Sequence, residues 1–167
     1  MLKYSANHYD DFLRLRISAS LWLVILYGIR HLFFVGAMQF MPFEVASVDW
    51  LNIQTNLLFM LTDIPAAAVL LATGHRLPEA SFVMRWIWSK GKFILTSSYI
   101  LCLCVFIYLN KSLFQLSDLN DLILAASVVI PDVLIISFIL KSALINDIFS
   151  DFPSPLKPVT PKTAKIN

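Results

Sequence analysis

Four long apolar stretches run through the chain, separated by shorter polar ones. That alternation predicts four membrane-spanning helices at 17–40, 54–73, 93–109 and 122–140, since a helix needs about 20 mostly apolar residues to cross a hydrocarbon core of about 30 Å. The polar stretches differ in character. Residues 1–16 mix charges, with Lys3, Asp10, Asp11, Arg14 and Arg16. Residues 41–53 hold Pro42, Glu44, Asp49 and Trp50 but no Lys or Arg, and 110–121 hold Lys111, Asp118 and Asp121. Residues 74–92 are basic, with His75, Arg76, Arg85, Lys90 and Lys92 against Glu79.

The basic segment has a pattern of its own. Over 82–92 the rings of Phe82, Trp86 and Trp88 interleave with Arg85 and Lys90. This suits a short helix in the headgroup layer, with rings at the interface and cations toward phosphates. Arg76, Arg85, Trp86, Trp88, Lys90 and Lys92 are therefore expected at the lipid interface. Beyond Lys141, residues 142–152 suit a short amphipathic helix. Residues 153–167 hold four prolines and three lysines, the composition of an extended or disordered tail.

Composition agrees with the pattern. The chain is 58% hydrophobic and only 14% charged, with a mean hydropathy of +0.73, whereas soluble domains are about half apolar and a quarter charged. The net charge of +2 matters less than its placement. Lys and Arg concentrate in 1–16, in 74–92 and from Lys141 onward, and the two other loops share Lys111 alone. The positive-inside rule then puts both termini and the middle loop in the cytoplasm, an N-in/C-in arrangement of two hairpins. The first span runs into Arg30-His31 without a small-residue cleavage site and is expected to remain as an anchor.

Several stretches resemble a known family. They are Leu13-Arg14-Leu15-Arg16 leading to Trp22 and Arg30, Asp63-Ile64-Pro65-Ala66 running to Gly74-His75-Arg76, and Met84-Arg85-Trp86-Ile87-Trp88. Pro131-Asp132 and Asp147-Ile148-Phe149-Ser150-Asp151-Phe152-Pro153 complete the set. Together, over about residues 9–153, the chain resembles the YfeZ-like small four-span inner-membrane proteins of gammaproteobacteria. The resemblance implies four helices in the bacterial inner membrane and no reaction, because that family's function is unknown.

Three ionisable residues stand inside the apolar spans: Arg30, Asp63 and Asp132. A charge at mid-helix costs roughly 2.5–3.5 kcal/mol on insertion scales, so such groups face protein, water or each other. At about 1.5 Å per residue they lie roughly 20, 15 and 14 Å from the cytoplasmic ends of their spans, near one depth. A cation between two carboxylates would lower the cost for each. If Arg30 pairs with one aspartate only, the other is expected to be protonated or to face water. His31 completes the intramembrane polar cluster as a packed polar residue. Pro65 and Pro131 are expected to kink their helices, and Ala66, Ala67 and Ala68 permit close helix approach.

Other chemistry is poorly supported. Cys102 and Cys104 form a C-x-C in an apolar run, and residues two apart on a helix do not face each other. The motifs of the lipoprotein signal peptidase are missing, although that enzyme also uses two membrane aspartates. His8, His31 and His75 are at depths that do not suit a b-type haem, and nothing resembles a nucleotide-binding loop. No cofactor, metal or nucleic acid is expected. The expected partners are anionic lipid headgroups and a membrane-protein partner or second copy. The reading is an all-α polytopic membrane protein acting as a non-enzymatic accessory, scaffold or assembly subunit. The alternative is a small oligomeric proton- or ion-coupled transporter or channel using Arg30, Asp63 and Asp132. A membrane-embedded aspartyl enzyme is a weaker one.

Overall fold

The computed structural model describes residues 4, 9, 15–38, 40, 57–111 and 119–153, without the side chains of Met38, Asp121 and Leu124. The loop at 41–53, most of that at 110–121, much of the N-terminal segment and the proline-rich tail beyond Pro153 lie outside the described residues. Among those described, the chain is all-helical. Its elements are α1 (Ala19–Gly28), α2 (Arg30–Met38), α3 (Leu57–Gly74), α4 (Phe82–Ser89), α5 (Gly91–Leu109), α6 (Leu119–Lys141) and α7 (Ala143–Ser150). The helices α3 and α5 are each long and apolar enough to cross a membrane. The count rises to four if the bent pair α1–α2 and the pair of Ala125–Lys141 with α7 are each one span.

Serine hydroxyls start three of the helices. Ser18 accepts from Leu21 N at 3.2 Å, Ser81 from Met84 N at 3.4 Å and Ser142 from Ile145 N at 3.3 Å. Each satisfies one of the orphan amides of a first helical turn. The centre of the bundle is α3 against α5, with α1 and α2 packed on α3, and α6 on α5. Ser98 on α5 donates to the Thr62 carbonyl on α3 at 2.5 Å. At Gly28, a Cβ would come within 3.0 Å of the Ala66 Cβ and 3.2 Å of the Tyr99 hydroxyl, so a glycine–alanine contact sets the close approach of α1 to α3.

The larger core gathers at one end of the bundle, from Leu15, Leu21, Trp88, Leu95, Ile145, Ile148 and Phe149 among others. A smaller one holds Phe59, Cys102, Phe106 and Ala125. At the larger core the N-terminal segment, the 75–92 segment and α7 meet. The Tyr4 hydroxyl donates to the Asp147 carboxylate, Trp88 Nε1 donates to the Ile148 carbonyl at 3.1 Å, and Leu15 N donates to Asp151 Oδ2 at 2.7 Å. These three parts of the chain therefore lie on one side of the bundle.

Helices α3 and α6 continue through Pro65 and Pro131, which lie inside them. Bends of 62° and 65° fall after Gly28 and after Lys141. Two lipid-interface expectations are corrected. Trp88 and Arg76 are not at a lipid interface: Trp88 is fully buried and Arg76 is 9% exposed. Trp88 packs on Phe149 with ring centroids 4.9 Å apart, and the Arg76 guanidinium lies 4.6 Å from the Trp88 ring. The helix at 82–89 does form, and its outward face carries Phe82, Val83 and Trp86, all exposed.

The junction of α4 and α5 gives a direct test. A Cβ on Gly91 would overlap the Phe149 ring edge, and that ring is held by Trp88. Gly91→Ala should lower stability by about 1–3 kcal/mol through overpacking, read as a lower unfolding temperature in mild detergent. Gly91→Ala combined with Phe149→Leu should recover much of the loss. A stabilised Gly91→Ala, the sign that helix propensity alone gives, would contradict this packing.

Candidate functional site

The polar cluster is built around the break in the first apolar stretch. Helix α1 ends at Gly28, Ile29 leaves helical geometry at φ −108° and ψ 15°, and α2 begins at Arg30. Such a break creates two sets of orphan backbone groups, amides opening α2 and carbonyls closing α1. In an apolar surrounding each needs a partner, because an unmet buried polar group costs on the order of 1–3 kcal/mol.

Asp63, from the middle of α3, supplies the acceptors. Its Oδ2 takes hydrogen bonds from His31 N at 2.8 Å and from Leu32 N at 3.0 Å. Its Oδ1 lies 2.8 Å from His31 Nδ1. These are the second and third amides of α2, the ones a capping side chain ordinarily meets from its own strand. Here the cap comes from another helix, and its negative charge sits at the positive end of the α2 dipole. Asp63 is 2% exposed and His31 1%, and the imidazole stacks on Phe59 with centroids 5.0 Å apart.

Arg30 supplies the donors. It reaches back one turn, giving Nη1 to the Tyr27 carbonyl at 3.2 Å, and its guanidinium lies 4.2 Å from the Tyr27 ring. Nη2 meets Asp132 Oδ2 on α6 at 3.2 Å and Cys102 Sγ on α5 at 3.2 Å. Tyr99, one turn before Cys102, donates to the Val24 carbonyl of α1 at 2.5 Å. Helices α1, α5 and α6 are thus tied at the break. Asp132 is fully buried, and its Oδ1 has no hydrogen-bond partner among the described residues.

The four residues of the expected polar cluster therefore form two adjacent pairs, Arg30–Asp132 and His31–Asp63, and not a cation shared by two carboxylates. Asp63, the carboxylate that Arg30 leaves, neither faces water nor lacks partners. Backbone amides receive it. Sequence reasoning missed this because it treated 17–40 as one helix, and a continuous helix has no free amides at its middle. It also missed Tyr27, Tyr99 and Cys102. Their signal was spacing: Tyr27 is three residues before Arg30, and Tyr99 and Cys102 are three apart on one face of α5. Cys104 is exposed on the outside of α5.

The interface residues divide in the same way. Arg76 ties three segments, giving Nη1 to the Leu15 carbonyl at 3.1 Å and Nη2 to the Asp151 carbonyl at 2.8 Å. Arg85 donates to the carbonyls of Ala80 and Pro78, with its guanidinium 5.5 Å from the Phe152 ring. Lys92 Nζ meets the Leu140 carbonyl at 3.2 Å, near the C-terminal end of α6 where a cation suits the dipole. Trp86 and Lys90 are exposed. Chemically, His31 and Asp63 form an oriented imidazole–carboxylate pair, but among the described residues no hydroxyl or thiol bonds the ring. No three His, Cys, Asp or Glu residues gather as a metal would require, again among the described residues.

The family model described as Protein of unknown function (DUF2919) matches residues 4–151. The chain belongs to this family. No curated protein and no solved structure matches it significantly.

The Arg30–Asp132 pair predicts a signed double-mutant cycle. Removing one partner leaves the other buried and unpaired, so Arg30→Met or Asp132→Leu should each cost about 3–5 kcal/mol. Arg30→Met with Asp132→Leu should cost less than the sum, with a coupling of at least about 1 kcal/mol. Unfolding in mild detergent measures all three. Additive losses would show that the two groups do not depend on each other.

Proposed function

We propose that this member of an uncharacterised family is a YfeZ-like protein of the bacterial inner membrane, with four spans and both termini cytoplasmic. Its role is that of a non-enzymatic accessory or assembly subunit of a larger membrane complex. One observation carries the reading: the charged groups in its apolar core are turned inward onto the protein's own backbone and side chains. Asp63 caps α2, and Arg30 is held by Tyr27, Cys102 and Asp132. Groups committed to holding helices together are what a structural bundle requires. The lipid-facing surface supports the same reading, because α3 and α5 bury only a third of their residues and leave broad apolar faces outward. Such faces suit lipid or another membrane protein.

A second reading has its own observation. A helix broken at the middle of a span is how many secondary transporters build an ion site, and here Asp132 Oδ1 stands buried beside the break without a hydrogen bond among the described residues. A small proton-coupled carrier would use Asp132 as its proton-accepting group. An aspartyl enzyme fits less well, because Asp63 and Asp132 are engaged with different partners.

Purification in mild detergent followed by native mass analysis separates these roles. The subunit reading expects a stoichiometric second protein that co-purifies and is lost on harsh extraction. A lone monomer with no co-purifying protein would sink it. In proteoliposomes, the carrier reading expects a proton-linked flux abolished by Asp132→Asn in a protein that still inserts and folds.

A further inference from the structure

The cluster at the break is not balanced in charge while its imidazole is neutral. Two carboxylates, Asp63 and Asp132, meet one guanidinium, Arg30. Among the described residues no further charged group pairs with any of the three. The cluster then carries one negative charge in excess among buried groups, and an uncompensated buried charge is costly. A proton or a cation removes the excess. No set of three metal-ligating side chains gathers among the described residues, which leaves a proton.

Hydrogen bonding decides where that proton goes. Asp63 Oδ2 accepts the amides of His31 and Leu32 at 2.8 and 3.0 Å, at the positive end of the α2 dipole, where a carboxylate is stabilising as an anion. An anionic carboxylate only accepts. The ring nitrogen 2.8 Å from its Oδ1, Nδ1 of His31, is therefore the donor. Donation from Nδ1 fixes the tautomer and leaves the lone pair on Nε2. That atom has no hydrogen-bond partner among the described residues, although His31 is 1% exposed. A buried acceptor without a donor is exceptional in a folded protein. Asp132 Oδ1 is a second one in the same cluster.

The ring's surroundings leave it as the group that can change charge. From α3 it meets Asp63 and the Phe59 ring, 5.0 Å away between centroids. Helix α2 itself contributes Arg30, α1 contributes Tyr27, α5 contributes Tyr99 and Cys102, and α6 contributes Asp132. Arg30 is the one fixed cation in this set. We propose that the cluster binds one exchangeable proton at His31 Nε2, whose arrival sets two cations against two carboxylates. The protonated ring keeps its Nδ1 bond to Asp63, so uptake changes the charge at the break and leaves the cap of α2 in place. The inference goes beyond both functional readings. It moves the proton from Asp132, which a carrier was taken to use, to His31, and it requires neither a flux nor a partner protein.

The chain has three histidines, so the full chain with His8→Gln and His75→Gln retains His31 as its one imidazole. Nitrogen-15 NMR of this chain in nanodiscs reads both ring nitrogens from about pH 8 to about pH 5, the window in which imidazole ordinarily changes charge, and the amide spectrum reports the fold. At the alkaline end Nδ1 should carry the proton and Nε2 should be bare. On acidification Nε2 should gain a proton while the chain stays folded. Asp63→Asn in this background should lower the ratio of charged to neutral ring at a given pH by about tenfold, because it removes the excess charge and the ring's partner. Asp132→Asn leaves that partner in place and should also lower the ratio, a change that a purely local His31–Asp63 pair does not produce. It carries the test if Asp63→Asn does not fold. A proton on Nε2 at the alkaline end, a ring that keeps one charge state throughout, or an Asp132→Asn chain that titrates as its parent does would overturn the proposal.

Discussion

A helix interrupted inside an apolar layer has to find partners for the backbone groups that the interruption frees, and this requirement organises the centre of the bundle. Between Gly28 and Arg30 the chain turns by 62°. The amides of His31 and Leu32 lose their places in a continuous ladder, and buried amides left unmet are costly. The carboxylate of Asp63 takes both amides. On the other side of the break the Arg30 guanidinium takes the Tyr27 carbonyl. Each charge also has the right sign for the helix end it meets, negative at the start of α2 and positive at the end of α1.

Each of those charges brings a second obligation, and meeting it recruits the remaining helices. Arg30 has donors left over and reaches Asp132 on α6 and Cys102 on α5. Asp63 has a second oxygen and fixes the His31 ring, which stacks on Phe59. The close contact of Gly28 with Ala66 brings α1 near enough to α3 for this to happen. A breach in one helix thereby becomes a joint shared by five. The opposite end of the fold is built differently, from large apolar side chains under Trp88 and from Arg76 crossing three segments.

Much of this was legible in the chain. Apolar run length gave helices where α3 and α5 stand, and the interleaved rings and cations of 82–92 gave α4. The oddity of Arg30, Asp63 and Asp132 in apolar surroundings pointed to the residues that join the helices. What was not legible was the break itself. Gly28-Ile29 carries no proline, and the two prolines that do interrupt apolar runs, Pro65 and Pro131, lie inside helices that continue through them. Local composition predicts a kink from a missing amide, whereas here tertiary partners stabilise one where every amide is present. Trp88 and Arg76 misled for a related reason. An aromatic ring beside a cation has the same signature at a headgroup layer and in a buried stack, and only the position of α7 distinguishes them.

If the Asp63 cap is what permits the break, its removal must act first on the amides it holds. Amide hydrogen exchange of the chain in nanodiscs, compared between the unmodified protein and Asp63→Ala, reads this directly. Exchange at His31 and Leu32 should accelerate strongly while the amides of α5 stay as they were. Unchanged protection at His31 and Leu32 would contradict this and would mean that the carboxylate does not hold the broken helix.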